Sequence, residues 1–160
     1  TRNLIALGTL ALADHPLQLA RLRAEPALLP RAIEEMLRWC NPVTHMARSA
    51  TRDVELRGQT IRAGQCVVLL YGAANRDDAI FGPDAERFEI SRHPNPHLAF
   101  GSAEHFCIGA GLARMEARVF FEELLERFAG IERAGPVARV RATMTPAVKR
   151  MPLRLSARST

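Results

Sequence analysis

The sequence predicts a mainly α fold with a small β region, an α+β architecture built as a single partial domain over residues 1–160. Three observations lead there. Apolar residues recur at helical spacing near both ends of the chain. In the middle the period shortens to brief strand-like runs cut by glycine turns. A composition of 48% hydrophobic and 24% charged residues supplies an ordinary globular core.

The elements follow in order. Asn3 to Ala13 reads as a helix. The turn Asp14-His15-Pro16 comes next, and Pro16 suits the first turn of a second helix running to about Arg23, where a missing N–H costs nothing. Pro26 and Pro30 bracket a short connection. Arg31 to Trp39 forms a third helix with Ile33, Met36 and Leu37 on its apolar face. Asn41-Pro42 stops it, because the residue before proline avoids the helical region. Pro42 to Arg48 reads as a loop leading into a strand. Val54 to Arg57, Thr60 to Arg62 and Cys66 to Tyr71 read as short strands, turning at Gly58 and Ala63-Gly64. Gly72 to Arg76 makes a single helical turn. Asp77 to Pro96 has no clear period, and a structureless stretch of that length is uncommon unless functional. Ile108 to Phe128 is the strongest helix. Ile108, Leu112, Met115 and Val119 recur on one face, Arg114, Arg118, Glu122 and Glu126 mark another, and Gly130 ends it. Arg139 to Thr143 and Arg150 to Leu155 are terminal strand candidates that pair as a hairpin across Thr145-Pro146.

Composition excludes several function classes. The net charge is +5, nearly all of the basic residues are arginine, and Lys149 is the only lysine. These cations are scattered, with neither a basic stripe interleaved with aromatics nor a known module, so no nucleic-acid partner is expected. Arginine- and alanine-rich usage fits a high-GC genome. Cys40, Cys66 and Cys107 are odd in number and widely spaced, which supports neither a disulfide framework nor a zinc knuckle and fits a reducing cytoplasm. No secretory signal or long apolar span is present, and the apolar run Leu4 to Ala13 is broken by Gly8 and Thr9, so no membrane association is expected. Thr1-Arg2-Asn3-Leu4 reads as the middle of a helix and no initiator methionine precedes it, which predicts a piece of a longer chain.

The most informative segment runs Phe100-Gly-Ser-Ala-Glu-His-Phe-Cys-Ile-Gly109. It places Cys107 at the start of the long helix, where unpaired N–H groups and the helix dipole favour an anion. An anionic sulfur held there can ligate a soft metal centre. A buried free cysteine acting as a small hydrophobe is the competing reading.

The spacing Phe-Gly-x-x-x-His-x-Cys-x-Gly resembles the haem-ligand loop of the cytochrome P-450 family. That resemblance makes Cys107 the axial ligand of a haem b (iron protoporphyrin IX) iron. It places Phe100, Gly101 and Gly109 around the sulfur and macrocycle, and gives His105 a haem propionate. One position departs from the family pattern: Ala103 stands where a second glycine is usual, and alanine is strained there if the backbone needs positive φ. Glu35-Met-Leu-Arg38 is similar to the family's Glu-x-x-Arg helix. Arg92 is the expected third member of that buried ion-pair set and Arg87 the runner-up; the role is structural. In Pro42-Val-Thr-His-Met-Ala-Arg48, the resemblance assigns Arg48 to a propionate and turns Val43, Thr44 and Met46 toward substrate. Met144 and Thr145 match the second substrate-facing segment. Arg114 is a candidate cation facing an acidic redox partner. Leu70 to Asp77 and Asn95 to Gly101 also look like soluble bacterial members, so the resemblance spans essentially the whole chain.

The implied activity is that of a bacterial, cytoplasmic haem-thiolate monooxygenase. It would insert one oxygen atom of dioxygen into a small apolar organic substrate, with an iron–sulfur ferredoxin or a flavin protein as electron donor. No residue of the chain is assigned a catalytic role, because the family's acid–threonine pair is expected upstream of Thr1. Two alternatives stand beside this reading: a non-catalytic truncated haem-binding fragment, and a peroxide-driven family member.

Overall fold

The computed structural model describes residues 1–145 and 147–158. Leucine- and alanine-rich α1 (Arg2–Asp14) turns at His15 into α2 (Pro16–Ala24), with Pro16 in its first turn. A 3-10 turn (Pro26–Leu28) leads into α3 (Leu29–Cys40), which ends where Asn41 takes a left-handed conformation before Pro42. Leu4, Leu12, Leu22, Ile33, Met36 and Leu37 form the centre of the core. Gly8 marks the point of closest helix approach: a Cβ built there would lie 2.9 Å from Met36 Sδ and 3.0 Å from Phe121 Cζ. Any side chain at this position would push α1 off its neighbours.

The β region consists of two-stranded antiparallel pairs. β1 (His45–Ser49) pairs with β4 (Cys66–Leu70), placing Arg48 opposite Val67. β2 (Val54–Leu56) and β3 (Gln59–Ile61) form a hairpin across Arg57 and Gly58, both at positive φ (49° and 76°), the conformation that a two-residue turn needs to match strand twist. Two single-turn helices follow, α4 (Tyr71–Ala74) and α5 (Asp78–Phe81), the second capped by the Asp77 carboxylate on the Ala79 N–H.

The stretch to Pro96 has little further regular structure, but two arginines organise it. Arg38 donates to Glu35 through Nε and Nη2 (2.7 Å each), and to the carbonyls of Asn75 (2.7 Å), Ala85 (2.8 Å) and Arg87 (2.8 Å). Arg92 reaches Glu35 at 3.3 Å and also holds the Asp84 carboxylate and the Phe81, Asp84 and Arg87 carbonyls. Glu35 and Arg38 are both 0% exposed. Arg87 contributes only its carbonyl to this network.

The last third departs from the sequence expectation in three ways. The long helix α6 spans Ala110–Arg127, starting two residues after Ile108. Its buried face is Ala110, Ala117, Phe121 and Leu124, while Ile108, Leu112, Met115 and Val119 lie exposed on the opposite side. Both stripes are apolar at helical spacing, so α6 resembles a helix made to be covered on two sides. Gly130 lies inside a strand, β5 (Phe128–Arg133), at a bulge where a Cβ would sit 3.1 Å from Ser156 Oγ. The terminal pairing also differs. β6 (Ala138–Arg139) pairs with β7 (Val148–Arg150), whereas β8 (Leu153–Ala157) pairs with β5. Burial of Ile131 against the helices draws β5, and with it β8, toward the core. Pro146, at the expected turn, lies outside the described residues.

Candidate functional site

The segment after Pro96 is held to the helical core before it reaches Cys107. The Leu98 N–H donates to buried Asn75 Oδ1 (2.7 Å), whose own amide donates to Asn41 (3.1 Å). The loop then turns at Gly101, with φ 73°. A Cβ there would lie 3.1 Å from the His105 carbonyl oxygen, so glycine is required twice over. The Cys107 N–H donates to the Phe100 carbonyl (2.9 Å), and the Cys107 carbonyl accepts from the Ala110 N–H (3.1 Å) where α6 begins. Gly109 has ordinary φ (−85°), and a Cβ there would touch Cys107 Sγ at 3.9 Å, so its small size bears on the space beside the sulfur.

Ala103 adopts φ 51° within a 3-10 turn spanning Ala103–His105. The strain expected from its departure from glycine is therefore present. A left-handed alanine costs roughly 1 kcal/mol, and Ala103 is exposed, so removing its methyl group loses little packing. Ala103→Gly should stabilise the chain by about 1 kcal/mol in urea unfolding. A destabilised variant would contradict this.

Cys107, Phe100, Gly101, His105 and Gly109 all line one cavity of about 680 Å³, within the ~300–1,000 Å³ usual for small-molecule and cofactor sites. Its opposite wall is β1 and the loop before it, contributing Val43, Met46 and Arg48. Leu4, Leu37, Tyr71, Ala99, Ile108 and Leu112 add further apolar surface. Sequence reasoning missed these six as site residues, because an apolar side chain carries no mark of whether it meets core or cavity.

Three expected substrate-facing residues are not on this wall. Thr44 Oγ1 donates to the carbonyls of Thr143 (2.8 Å) and Met144 (3.0 Å), and the Thr44 N–H donates to Met144 as well (2.8 Å). Thr44 thus ties the β1 loop to the segment carrying Met144 and Thr145. None of the three is among the residues lining the cavity.

Arg114 is engaged within the chain. Its guanidinium makes a two-pronged contact with Glu34, Nε to Oε1 at 2.7 Å and Nη2 to Oε2 at 2.8 Å, and lies 4.7 Å from the Phe100 ring centroid. Buried His97 joins the same carboxylate at 3.0 Å through Nε2. The head group expected to face a partner is thus paired with Glu34 while remaining 38% exposed. Burial alone would raise the Glu34 carboxyl, but the hydrogen bonds and charges of Arg114 and His97 outweigh it and bring the group down to about 2. A depressed folded pKa contributes stability that is complete above about pH 4.5 and is lost as pH falls toward 2. With Glu34 29% and Arg114 38% exposed, we expect about 1–2 kcal/mol from this source after allowance for screening. Glu34→Gln should flatten that limb of the stability–pH curve; an unchanged acid limb would contradict the assignment.

The donor set can be tested for fit. Among the described residues, no group of three or more His, Cys, Asp or Glu is placed to hold a bare metal ion. The cavity instead offers one ionisable sulfur, Cys107, beside the Met46 thioether, with a cationic arginine and a histidine on its walls. One soft ligand suits a metal that arrives with its other ligands already attached, and the two basic side chains suit carboxylates on the rim of such a group. The other cysteines do not compete for this role. Burial pushes the Cys40 thiol up to about 12, and Cys66 is exposed on β4, outside the cavity lining. The residues fit haem.

The family model for cytochrome P450 matches residues 14–137. This chain belongs to the cytochrome P450 family. Members of the family bind haem b. Cytochrome P450 126 of Mycobacterium tuberculosis is 48% identical over 155 residues, covering 97% of this chain and 37% of that protein. A methyl-branched lipid omega-hydroxylase of Mycobacterium bovis is 43% identical, covering 96% of this chain and 36% of its own length. The crystal structure of P450BioI, in complex with a hexadec-9Z-enoic acid ligated acyl carrier protein, superposes with a TM-score of 0.93 at 41% identity over 96% of this chain and 40% of that one. The chain thus spans about two fifths of the length of the cytochromes P450 it matches. Among its described residues, no helix is long and apolar enough to cross a membrane.

Proposed function

We propose that this chain is the haem-binding, carboxy-terminal portion of a bacterial haem-thiolate monooxygenase, in which Cys107 would ligate the iron. The observation that carries the reading is the convergence of Cys107, Arg48 and His105 on one apolar cavity. When bound, the haem supplies the activation of dioxygen by which one oxygen atom enters a substrate C–H bond and the other leaves as water, consuming two electrons and two protons. The chain's residues do the rest of what this portion contributes. The Phe100 carbonyl fixes the Cys107 backbone, and the Phe100 ring would limit water near the sulfur once the cavity is filled. Arg48 and His105 would hold the propionates. Val43 and Met46 would face substrate. Glu35, Arg38 and Arg92 keep the segment leading to the loop in place, so the sulfur is positioned before the haem arrives.

The substrate in this reading is a small apolar organic molecule, and lipid-like chains are the first candidates because two of the relatives carry lipid or acyl names. The electron donor is a ferredoxin or flavin protein. Three free cysteines fit a reducing cytoplasm. Incubating the full-length, haem-loaded protein with a reductase system, 18O2 and a panel of fatty acids and steroids should give a hydroxylated product with one 18O atom. Oxygen derived from water would overturn the monooxygenase reading.

A second reading applies to the 160 residues expressed alone, a non-catalytic haem-binding fragment. Exposed Met115 and Val119, which lie outside the cavity lining, favour it, since apolar surface of this kind promotes association.

A further inference from the structure

Arg114 and Glu34 lie on different helices, α6 and α3, and meet beside the Cys107 loop in a geometry that a solvated surface pair would not need. The contact is two-pronged, the fixed fork of a guanidinium matched to a carboxylate. The same guanidinium covers the Phe100 ring at 4.7 Å, within cation–π range. His97 closes the set. Its Nδ1 accepts from the Ala99 N–H at 3.3 Å, which leaves the ring proton on Nε2 for donation to Glu34 at 3.0 Å, and its ring lies 6.1 Å from that of Phe100. Phe100 is therefore held from its ring side by Arg114 and His97, while its carbonyl holds the Cys107 N–H.

We propose that Glu34 and Arg114 are positioning residues for the Cys107 loop, a charge-balanced clamp that seats Phe100 and adds little net electrostatic field of its own at the sulfur. The inference rests on the reading of Cys107 as the iron ligand. Its distinctive content is the balance of charge. Removing the carboxylate leaves an uncompensated cation beside the loop, which favours the reduced, less positive iron. Removing the guanidinium leaves an uncompensated anion and does the opposite. A purely mechanical brace would respond alike to the loss of either half.

The test is an anaerobic redox titration of the full-length, haem-loaded protein at low salt. At a fixed applied potential, Glu34→Gln should raise the ratio of reduced to oxidised iron at least threefold, and Arg114→Met should lower it at least threefold. The double variant should return close to the parent ratio. Arg114→Lys, which keeps the charge, should also stay close, and it remains informative if Arg114→Met binds haem poorly. Shifts of the same sign in the two single variants, or shifts below threefold, overturn the clamp while leaving the ligand reading intact. If the parent protein, reduced under carbon monoxide, lacks the red-shifted thiolate band, the ligand reading itself falls and the clamp falls with it.

Discussion

Arg38→Met should cost about 3–5 kcal/mol of folding stability, the scale for removing one partner of a buried ion pair. Both Arg38 and Glu35 are 0% exposed, so neither can fall back on water. The variant strands more than the charge of Glu35. The carbonyls of Asn75 and Ala85 lose the side-chain donor that holds them, and that of Arg87 keeps only its 3.2 Å contact with Arg92. An unsatisfied buried polar group costs about 1–3 kcal/mol. Arg92 keeps its contact with Glu35 at 3.3 Å and limits the damage without replacing the fork. A domain with about 5–15 kcal/mol of total stability loses much of it. Arg38→Lys should recover little, since an ammonium cannot reproduce five planar donors. The control is Arg118→Met, whose partner Glu122 sits on the exposed side of α6, and it should change stability by less than about 1 kcal/mol. Urea midpoints separate the cases, and an Arg38→Met variant within about 1 kcal/mol of the parent would contradict the hub role.

Cys107→Ala should show the reverse pattern, with the fold kept and the cofactor lost. Cys107 is exposed on the cavity wall and takes no part in the core, so apoprotein stability should stay within about 1 kcal/mol. Haem affinity should fall at least tenfold, because Cys107 is the one thiol the cavity offers and the neutral Met46 thioether does not replace an anionic sulfur. Equilibrium haem titration of the parent, Cys107→Ala and Cys66→Ala reads both halves of this expectation. Equal affinities in all three would remove Cys107 from the site.

The Glu35–Arg38 pair was readable because i and i+3 share a helix face, and the order of motifs then pointed to Arg92 as the third member. The cysteine loop was readable because its glycine and cysteine spacing is dense and local. The strain at Ala103 was readable too, as one residue standing where the pattern uses glycine. Other features depend on what lies across space, and local pattern does not carry that. α6 has two apolar stripes on opposite sides, and only the packing of α1 and α3 selects Ala117 and Phe121 over Leu112 and Val119. Arg114 reads in sequence as one charge on a polar stripe, and its partner Glu34 is 80 positions earlier. Thr44, with Met144 and Thr145, was placed toward substrate by resemblance, but its hydroxyl is committed to backbone carbonyls. β5 was hidden because Gly130, at a strand bulge, looks the same in sequence as a helix stop.

The central claim is that Cys107 presents a thiolate to haem iron. The most direct measurement is the carbon monoxide difference spectrum of the reduced, haem-loaded protein beside Cys107→Ala. The parent should show the red-shifted thiolate band, and the variant should lose it. A parent without that band, or a variant that retains it, would contradict the account.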